Sequence, residues 1–456
     1  MTDYDLVIVG AGSGNMLPAE GLADLRIAIV ESDRFGGTCL NRGCIPSKML
    51  VYAADVAQAV RHAGRYGVDA EFTGADWPAI RARVFGRIDP LPERAVAYRR
   101  RRGVDVYLGH ARFVAPRVLE VNGEELRGEQ VVVAAGSRPR IPSIPGLDTV
   151  SFHTSDTIMR VDALPSSMVV IGGGFVAAEM SHIFGGLGTE ITIVNRGSTL
   201  LATHDDDISR SFTDRYRERF ALRLDTEVAR VEPTDGGVAV HLDGPSRSQI
   251  VEAETLLLAT GRVPNSDELD VAAGGLAVDE HGHVVADDCY ATNVPGVWAI
   301  GDLANHFQLK HVANAEMQLV LHNILHTDVP RRATISFAPA AVFADPQVAS
   351  IGPTERELRA QGRAFVVSRR DYSETGYGWA MEDTTSFVKL LADPDTRLLL
   401  AAHIIGPHAS MLLQPLVQAM SLGNTVDQLA HDVLSIHPAL TEVVAQALLE
   451  LPPPAS

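Results

Sequence analysis

The sequence predicts an α/β chain with two βαβ units and a third, α+β region behind them. Three observations carry the prediction. An apolar strand runs into a glycine turn at YDLVIVGAGSGN, 4–15. The same plan recurs at SSMVVIGGGFVAAEM, 166–180. From about residue 336 the pattern changes to AAVFADPQVASIG, FVVSRRDY, SFVKLLAD and LLLAAHIIG, antiparallel strands mixed with helices and without a glycine turn.

Composition bounds what such a chain can do. At 456 residues it has mass for two to four domains. Its 46% hydrophobic and 21% charged content is ordinary for a globular protein. A net charge of −18 argues against nucleic acid and anionic membrane surfaces as partners. No apolar run reaches the roughly 18 residues of a spanning helix. MTDYDLVIVG enters a strand directly, so nothing suggests export. Three cysteines suit a reducing, cytoplasmic compartment, where a disulfide is usually transient and catalytic.

In the first unit, YDLVIV suits a buried parallel strand, followed by Gly10, Gly12 and Gly14. The dinucleotide fingerprint wants its third glycine at 15, where Asn15 stands, and Gly14 partly compensates. Pro18 suits the first turn of a following helix. The next strand, RIAIVE, ends at Glu31, where an acid would hydrogen-bond a ribose.

FGGTCLNRGCIPSKM, 35–49, holds Cys39 and Cys44 with four residues between them. That gap permits a structural disulfide or a redox pair. Zinc would need two more ligands at suitable spacing, and none stands nearby, so no metal is expected. IPSKMLVYAADVAQAV reads as a helix and places Cys44 near a helix N-terminus, where a thiolate is favoured. Residues 50–100 read as mostly helical, with a polar break at 62–78. Short strands follow, ending at Ala134, Ala135 and Gly136. The proline-rich SRPRIPSIPG, 137–146, marks a domain boundary.

The second unit shows Gly172, Gly174 and Ala177 in G-x-G-x-x-A spacing and then a helix. Its next strand, EITIVN, ends at Asn195 and Arg196. Without a carboxylate there, Arg196 favours a 2′-phosphate, unless it merely solvates the strand end. Two nucleotide folds imply two nucleotides, with electrons passing between them. LLLATGRVPNSDEL, 256–269, leads to a turn at Gly261, and VPGVWAIGDLA, 294–304, ends at Gly301 and Asp302. Asp302 either binds a hydroxyl of a cofactor's sugar chain or caps the next helix. Near the end, IHPALTEVV brings His437 and Glu442 to one side of a helix, if one runs between them. A carboxylate on one ring nitrogen would leave the other for proton transfer, although a histidine taken alone is more often a plain surface or core residue. Cys289 reads as a structural thiol.

Taken together, GxGxG at 10–14, GGTCLNRGCIPSK at 36–48, GGGFVAAE at 172–179, ATGRVPN at 259–265, GD at 301–302 and HPALTE at 437–442 resemble the pyridine nucleotide–disulfide oxidoreductases of the glutathione reductase and lipoamide dehydrogenase type. The resemblance spans nearly the whole chain, in order. Within that family, FGRIDP (85–90), HTSDTIMR (153–160), LKHVAN (309–314), YGWAMEDT (377–384) and the GSGN turn look like the mycothione reductase subgroup. The resemblance implies an FAD-binding region at 1–150 and 266–335, an NADPH-binding region at 151–265, and a dimerisation region at 336–456. It implies a homodimer in which the histidine comes from the partner chain. Flavin would be held by Gly10, Gly12, Glu31 and Asp302, and NADPH by Gly172, Gly174 and Arg196. Gly14, Thr38, Ala135, Gly136, Ala177, Gly261 and Gly301 complete the cofactor-binding set, and Lys48 with Glu179 resembles the ion pair near the flavin. Cys44 would face the flavin, Cys39 would attack the substrate disulfide, mycothione, and His437 would protonate the leaving thiolate, steadied by Glu442.

Mercuric reductases and the related thioredoxin reductases carry an extra C-terminal cysteine pair that is absent here. Lipoamide dehydrogenase would want an acid where Asn195 stands. Glutathione reductase stays open, because Arg42 could meet a substrate carboxylate. A flavin-binding redox sensor without catalysis would need none of Cys39, Cys44, Lys48, His437 and Glu442.

Overall fold

The computed structural model describes the chain except for residues 19–21, 23, 245–247, 334–336 and 454–456. The strand Thr2–Val9 is apolar on both faces because it lies inside a parallel sheet, between Ile27–Glu31 and Glu124–Val133. Asp105–Leu108 extends the sheet on one side, and Val297–Ala299 pairs with Glu124–Val133 on the other. Val9 stands opposite both Val30 and Val133, and Val133 opposite Ala299. The strands therefore finish level, and Gly10, Glu31, Ala134 and Ile300 lie along one edge. Ala111–Ala115, Val118–Val121 and the start of Glu124–Val133 form an antiparallel meander on the same sheet.

The second unit repeats the plan. Ala221–Arg223, Glu190–Val194, Ser167–Ile171 and Thr255–Leu258 form a parallel sheet in that order, joined by the antiparallel meander Glu227–Thr234, Gly237–Asp243 and Ser248–Ala253. The turn amides repeat as well. Gly10 N donates to Val30 O at 2.8 Å, and Gly172 N to Val194 O at 2.9 Å. Both glycines have positive φ, and a Cβ on either would lie 2.3 Å or less from the carbonyl of Ala134 or Ala259. Only glycine fits either turn.

The segment expected as a boundary supplies a strand, Ser137–Pro139, which pairs with Arg262–Pro264 and ties the two units together. The helix Cys44–His62 packs against the second unit's helix Phe175–Leu187, so close that a Cβ on Gly186 would meet Ala54 Cβ at 2.9 Å. Leu50, Val51 and Ala54 share one core with Ile183, Phe184 and Leu187. Behind them, a five-stranded antiparallel sheet runs Ala340–Val342, Val348–Ile351, Leu399–Ile405, Phe387–Ala392, Val366–Asp371. Its buried Lys389 reaches Asp205 and Asp207 of the second unit and its own Glu355, at 2.6–2.9 Å. Removing one partner of such a cluster would strand a buried charge, at a cost of roughly 3–5 kcal/mol.

Two local expectations differ from the structure. The first glycine turn is followed by a 3-10 turn, Ser13–Asn15, and Pro18 lies in irregular chain. Of the rest of the expected helix, residues 19–21 and 23 lie outside the described residues, and Leu22, Asp24 and Leu25 are not helical. At the other end no helix runs between His437 and Glu442, because the helix Glu442–Leu449 begins only at Glu442. Pro438, in a cis peptide, and a turn carry the chain to it.

Candidate active site

The cysteine loop is built against the first glycine turn. Gly37, at φ +66°, lies so near Gly12 that a Cβ would meet Gly12 Cα at 2.6 Å. Buried Asn41 clamps the loop through Nδ2, donating to the carbonyls of Arg34, Phe35 and Gly37. Cys39 lies in the short helix Gly37–Asn41, and Cys44 opens the helix Cys44–His62. Thr38 is exposed, and its carbonyl accepts from Arg42 N. The two thiols are close enough to shift each other's titration.

That closeness divides one proton between two sulfurs. It pulls the Cys44 thiol down to about 7, helped by Lys48 and opposed by lost solvation and by Glu179. The same closeness, then burial, pushes Cys39 up. Cys44 carries the thiolate of the pair at neutral pH. One turn along the helix, Lys48 Nζ donates to both Glu179 oxygens at 2.6 Å. Glu179 is buried and also accepts from Phe343 N at 3.0 Å. Arg42 is engaged by Asp33 and, at 3.3 Å, by Asp156. It is therefore already paired with two carboxylates of its own chain.

The level edge of the first sheet gathers the expected flavin-side residues. Glu31 is buried and turned inward, accepting from Ala11 N at 2.9 Å and Asp33 N at 3.0 Å. Burial raises its carboxyl, against the amides of Ala11 and Ser32 and the charge of Arg42. Ala135 and Gly136 are held through their carbonyls by Asn265. Asp302 does not cap the helix Lys310–Leu325, whose N-cap is Leu309. Instead it accepts from Ser137 Oγ at 2.7 Å, and Ser137 in turn accepts from Arg262 Nε at 2.8 Å. Gly301 N donates to buried Glu316 at 2.6 Å. Gly14 takes the close-packing role, since a Cβ there would meet Ile8 Cγ2 at 2.8 Å. Asn15 is gripped by Arg99, which donates to its side chain and its carbonyl.

In the second unit, Gly174 is the N-cap of Phe175–Leu187, has no side-chain cap, and has nothing within 4 Å of where a Cβ would lie. Open backbone amides at a helix N-terminus suit a phosphate. Ala177 is buried in the first turn. Asn195 closes its own loop by donating to Gly197 O and Thr199 O, and exposed Arg196 makes no hydrogen bond or ion pair among the described residues. Gly261, at φ +100°, is likewise open on its Cβ side. The second unit's turn thus fits a dinucleotide phosphate, through the free space over Gly174 and the amides at the start of its helix.

His437 is 77% exposed, and its Nδ1 lies 2.8 Å from Glu442 Oε1. Its Nε2 faces outward with no protein partner among the described residues. The structure brings Cys39 to Cys44, Lys48 to Glu179, and His437 to Glu442, but gives no contact between the histidine and the cysteines. Asn41, Arg99, Ser137 and Glu316 were not singled out from sequence. Only Glu316, an acid on the apolar face of KHVANAEMQLV, left a local signal. Cys289 sits half-buried beside Asp288, which Arg332 engages.

The family model "Pyridine nucleotide-disulphide oxidoreductase" matches residues 4–318, and that of the family's dimerisation domain matches 338–448. Mycothione reductase from Mycobacterium tuberculosis is 46% identical over 462 residues, covering 99% of this chain and all of that one. Dihydrolipoyl dehydrogenase from Halobacterium salinarum is 33% identical over 467 residues, covering 98% and 96%. Among solved structures, the HOCl-induced flavoprotein disulfide reductase RclA from Escherichia coli superimposes with a TM-score of 0.85 at 24% identity, over 98% and 100% of the two chains, a likeness of fold. No helix among the described residues is long and apolar enough to cross a membrane.

Proposed function

The chain belongs to the pyridine nucleotide–disulfide oxidoreductases, and from that premise we propose that it reduces mycothione to two molecules of mycothiol with NADPH. The full-length identity to mycothione reductase carries the choice of substrate. Gly10, Gly12, Glu31, Ala135, Gly136 and Asp302 would hold FAD, and Gly172, Gly174, Ala177 and Arg196 would hold NADPH; when bound, the two would supply the electron pair needed to open the Cys39–Cys44 disulfide.

The protein's own groups do the rest. Lys48, oriented by Glu179, favours the Cys44 thiolate. Cys39 attacks one sulfur of the substrate, forming a mixed disulfide and releasing one thiolate. His437, its Nδ1 steadied by Glu442, donates a proton from Nε2 to that leaving group. Cys44 then attacks Cys39, restores the disulfide and releases the second thiol, so two electrons and two protons are consumed per substrate. The outward, unpartnered Nε2 supports a homodimer in which each chain's histidine serves its partner's cysteines. The compartment in keeping with this chemistry is a reducing cytoplasm.

The decisive assay is NADPH oxidation with mycothiol disulfide, glutathione disulfide and lipoamide side by side. Strong preference for mycothiol disulfide is expected. Equal or better turnover of glutathione disulfide would overturn the substrate and keep the mechanism. The same preparation with His437→Ala should lose roughly 100-fold or more at neutral pH, the usual worth of a positioned acid.

A further inference from the structure

Two segments, FGRIDP at 85–90 and HTSDTIMR at 153–160, take no part in the mechanism above, yet both fold onto the loop that carries Cys39. Arg160 of the second grips Asp89 of the first through both oxygens, Nη2 to Oδ1 at 2.8 Å and Nη1 to Oδ2 at 3.3 Å. Arg160 Nη2 also donates to the carbonyl of Asn41 at 3.4 Å. Arg34 Nη1 donates to the same Asp89 Oδ1 at 2.6 Å. The loop 34–41 is thus tied at both ends to one carboxylate, directly at Arg34 and through Arg160 at Asn41. Cys39 lies between the ties.

Asp89 is the C-cap of the helix Trp77–Ile88. A carboxylate at this end opposes the helix dipole, so the helix gains no stability from its charge. A lone surface ion pair is also worth little. Here two guanidiniums share one carboxylate, and that of Arg160 lies 3.9 Å from the centre of the buried Phe85 ring. The same helix also holds the other cysteine's element. Arg83 Nη2 donates to Met49 O of the helix Cys44–His62 at 3.0 Å, and Val84, Phe85 and Ile88 share a core with Leu50 and Val51. Both sulfurs are therefore referred to one support. Asn41, from inside, sets the shape of the loop, and the Asp89–Arg160 pair sets where that shape sits.

We propose that Asp89 and Arg160 are positioning residues for Cys39, holding its loop on the helix Trp77–Ile88 so that its sulfur stays within bonding reach of Cys44. The step they serve is closure of the pair, in which the Cys44 thiolate attacks Cys39 of the mixed disulfide. The sulfur–sulfur bond forms as the substrate thiolate leaves. Both residues act through the loop, by keeping one sulfur at high effective concentration beside the other. This inference rests on the redox reading of the pair given above.

The test is the equilibrium of the Cys39–Cys44 disulfide in mixtures of reduced and oxidised dithiothreitol, quenched with iodoacetamide and read by mass spectrometry. Wild type is compared with Asp89→Asn and Arg160→Met. Each variant should open its disulfide at a roughly tenfold lower ratio of reduced to oxidised dithiothreitol, since a looser loop lowers the effective concentration of one sulfur at the other. In 1 M salt, where charges are screened beyond about 3 Å, wild type should shift toward the variants while they stay in place. A side chain that only stabilises the fold would lower Tm and move neither reading. An equilibrium unchanged in both variants overturns the proposal, whatever happens to Tm. Should either variant fail to fold, Arg34→Met, which removes only the tie at the start of the loop, is judged by the same criterion. Wild type separates the two claims. If it forms no Cys39–Cys44 disulfide at any ratio, the redox reading fails and the proposal with it, whereas a wild-type disulfide with unshifted variants sinks the positioning role alone.

Discussion

The two glycine-turn units are alike in their hydrogen bonds and unlike at the end of the next strand. Gly10 and Gly172 make the same bond to the neighbouring strand and crowd the same kind of carbonyl. At the strand end one unit has buried Glu31, turned onto Ala11 N, and the other has Asn195 beside exposed Arg196. The shared part is what any chain must do to pass a strand under a dinucleotide. The differing part is where, on the function proposed above, one nucleotide is told from another. A buried carboxylate refuses a 2′-phosphate, and a free guanidinium invites one.

The largest effect that could break this comparison comes from the glycines. Gly10→Ala should yield protein that loses its flavin on purification. Gly172→Ala should keep a flavin that dithionite bleaches, yet lose roughly 100-fold or more in NADPH-dependent reduction, since each Cβ collides with a carbonyl at positive φ. Flavin lost equally in both variants would mean that the units are not separate binding sites.

A smaller effect sharpens the difference at the strand ends. Arg196→Ala should raise KM for NADPH about tenfold and leave KM for NADH nearly unchanged, as loss of one charge-assisted bond implies. Steady-state kinetics with both nucleotides check it. Smaller still is the grip of Arg99 on Asn15, which exists only in the first unit. Arg99→Ala should lower stability by about 1 kcal/mol, read as a lower Tm of the flavin-bound protein, without changing KM for NADPH.

The smallest prediction concerns the contact between the units. Glu179 raises the Cys44 thiol while Lys48 and Cys39 lower it. Glu179→Gln should therefore move the Cys44 midpoint down from about 7 by a few tenths of a unit. Thiolate would then persist to lower pH, and the alkylation profile of the reduced protein would show it. A rise instead would mean that Lys48 loses its place without Glu179.

What was legible in the sequence was local. The turns at Gly10 and Gly172, the start of a helix at Cys44 and the changed pattern after 336 each follow from a dozen residues. What was not legible depends on residues far apart. Asn15, which departs from the glycine rule, is held by Arg99, 84 positions on. Asp302 looked as much like a helix cap as a ligand, and only Ser137, 165 positions away, shows which way it points. Arg42 looked available until Asp33 and Asp156 folded onto it. His437 and Glu442 pair as expected but across a turn, since helical periodicity is one of several ways to bring two side chains together.

The outward face of His437 has an arithmetic consequence. If each chain lends its histidine to the other, two dead proteins can make a live one. Mixing equal amounts of Cys39→Ser and His437→Ala chains, then letting subunits exchange, would make about half the dimers hybrid. Each hybrid would hold one site with both defects and one with none. Activity would return to about a quarter of the normal level, whereas a site built within one chain would stay silent at any mixing ratio.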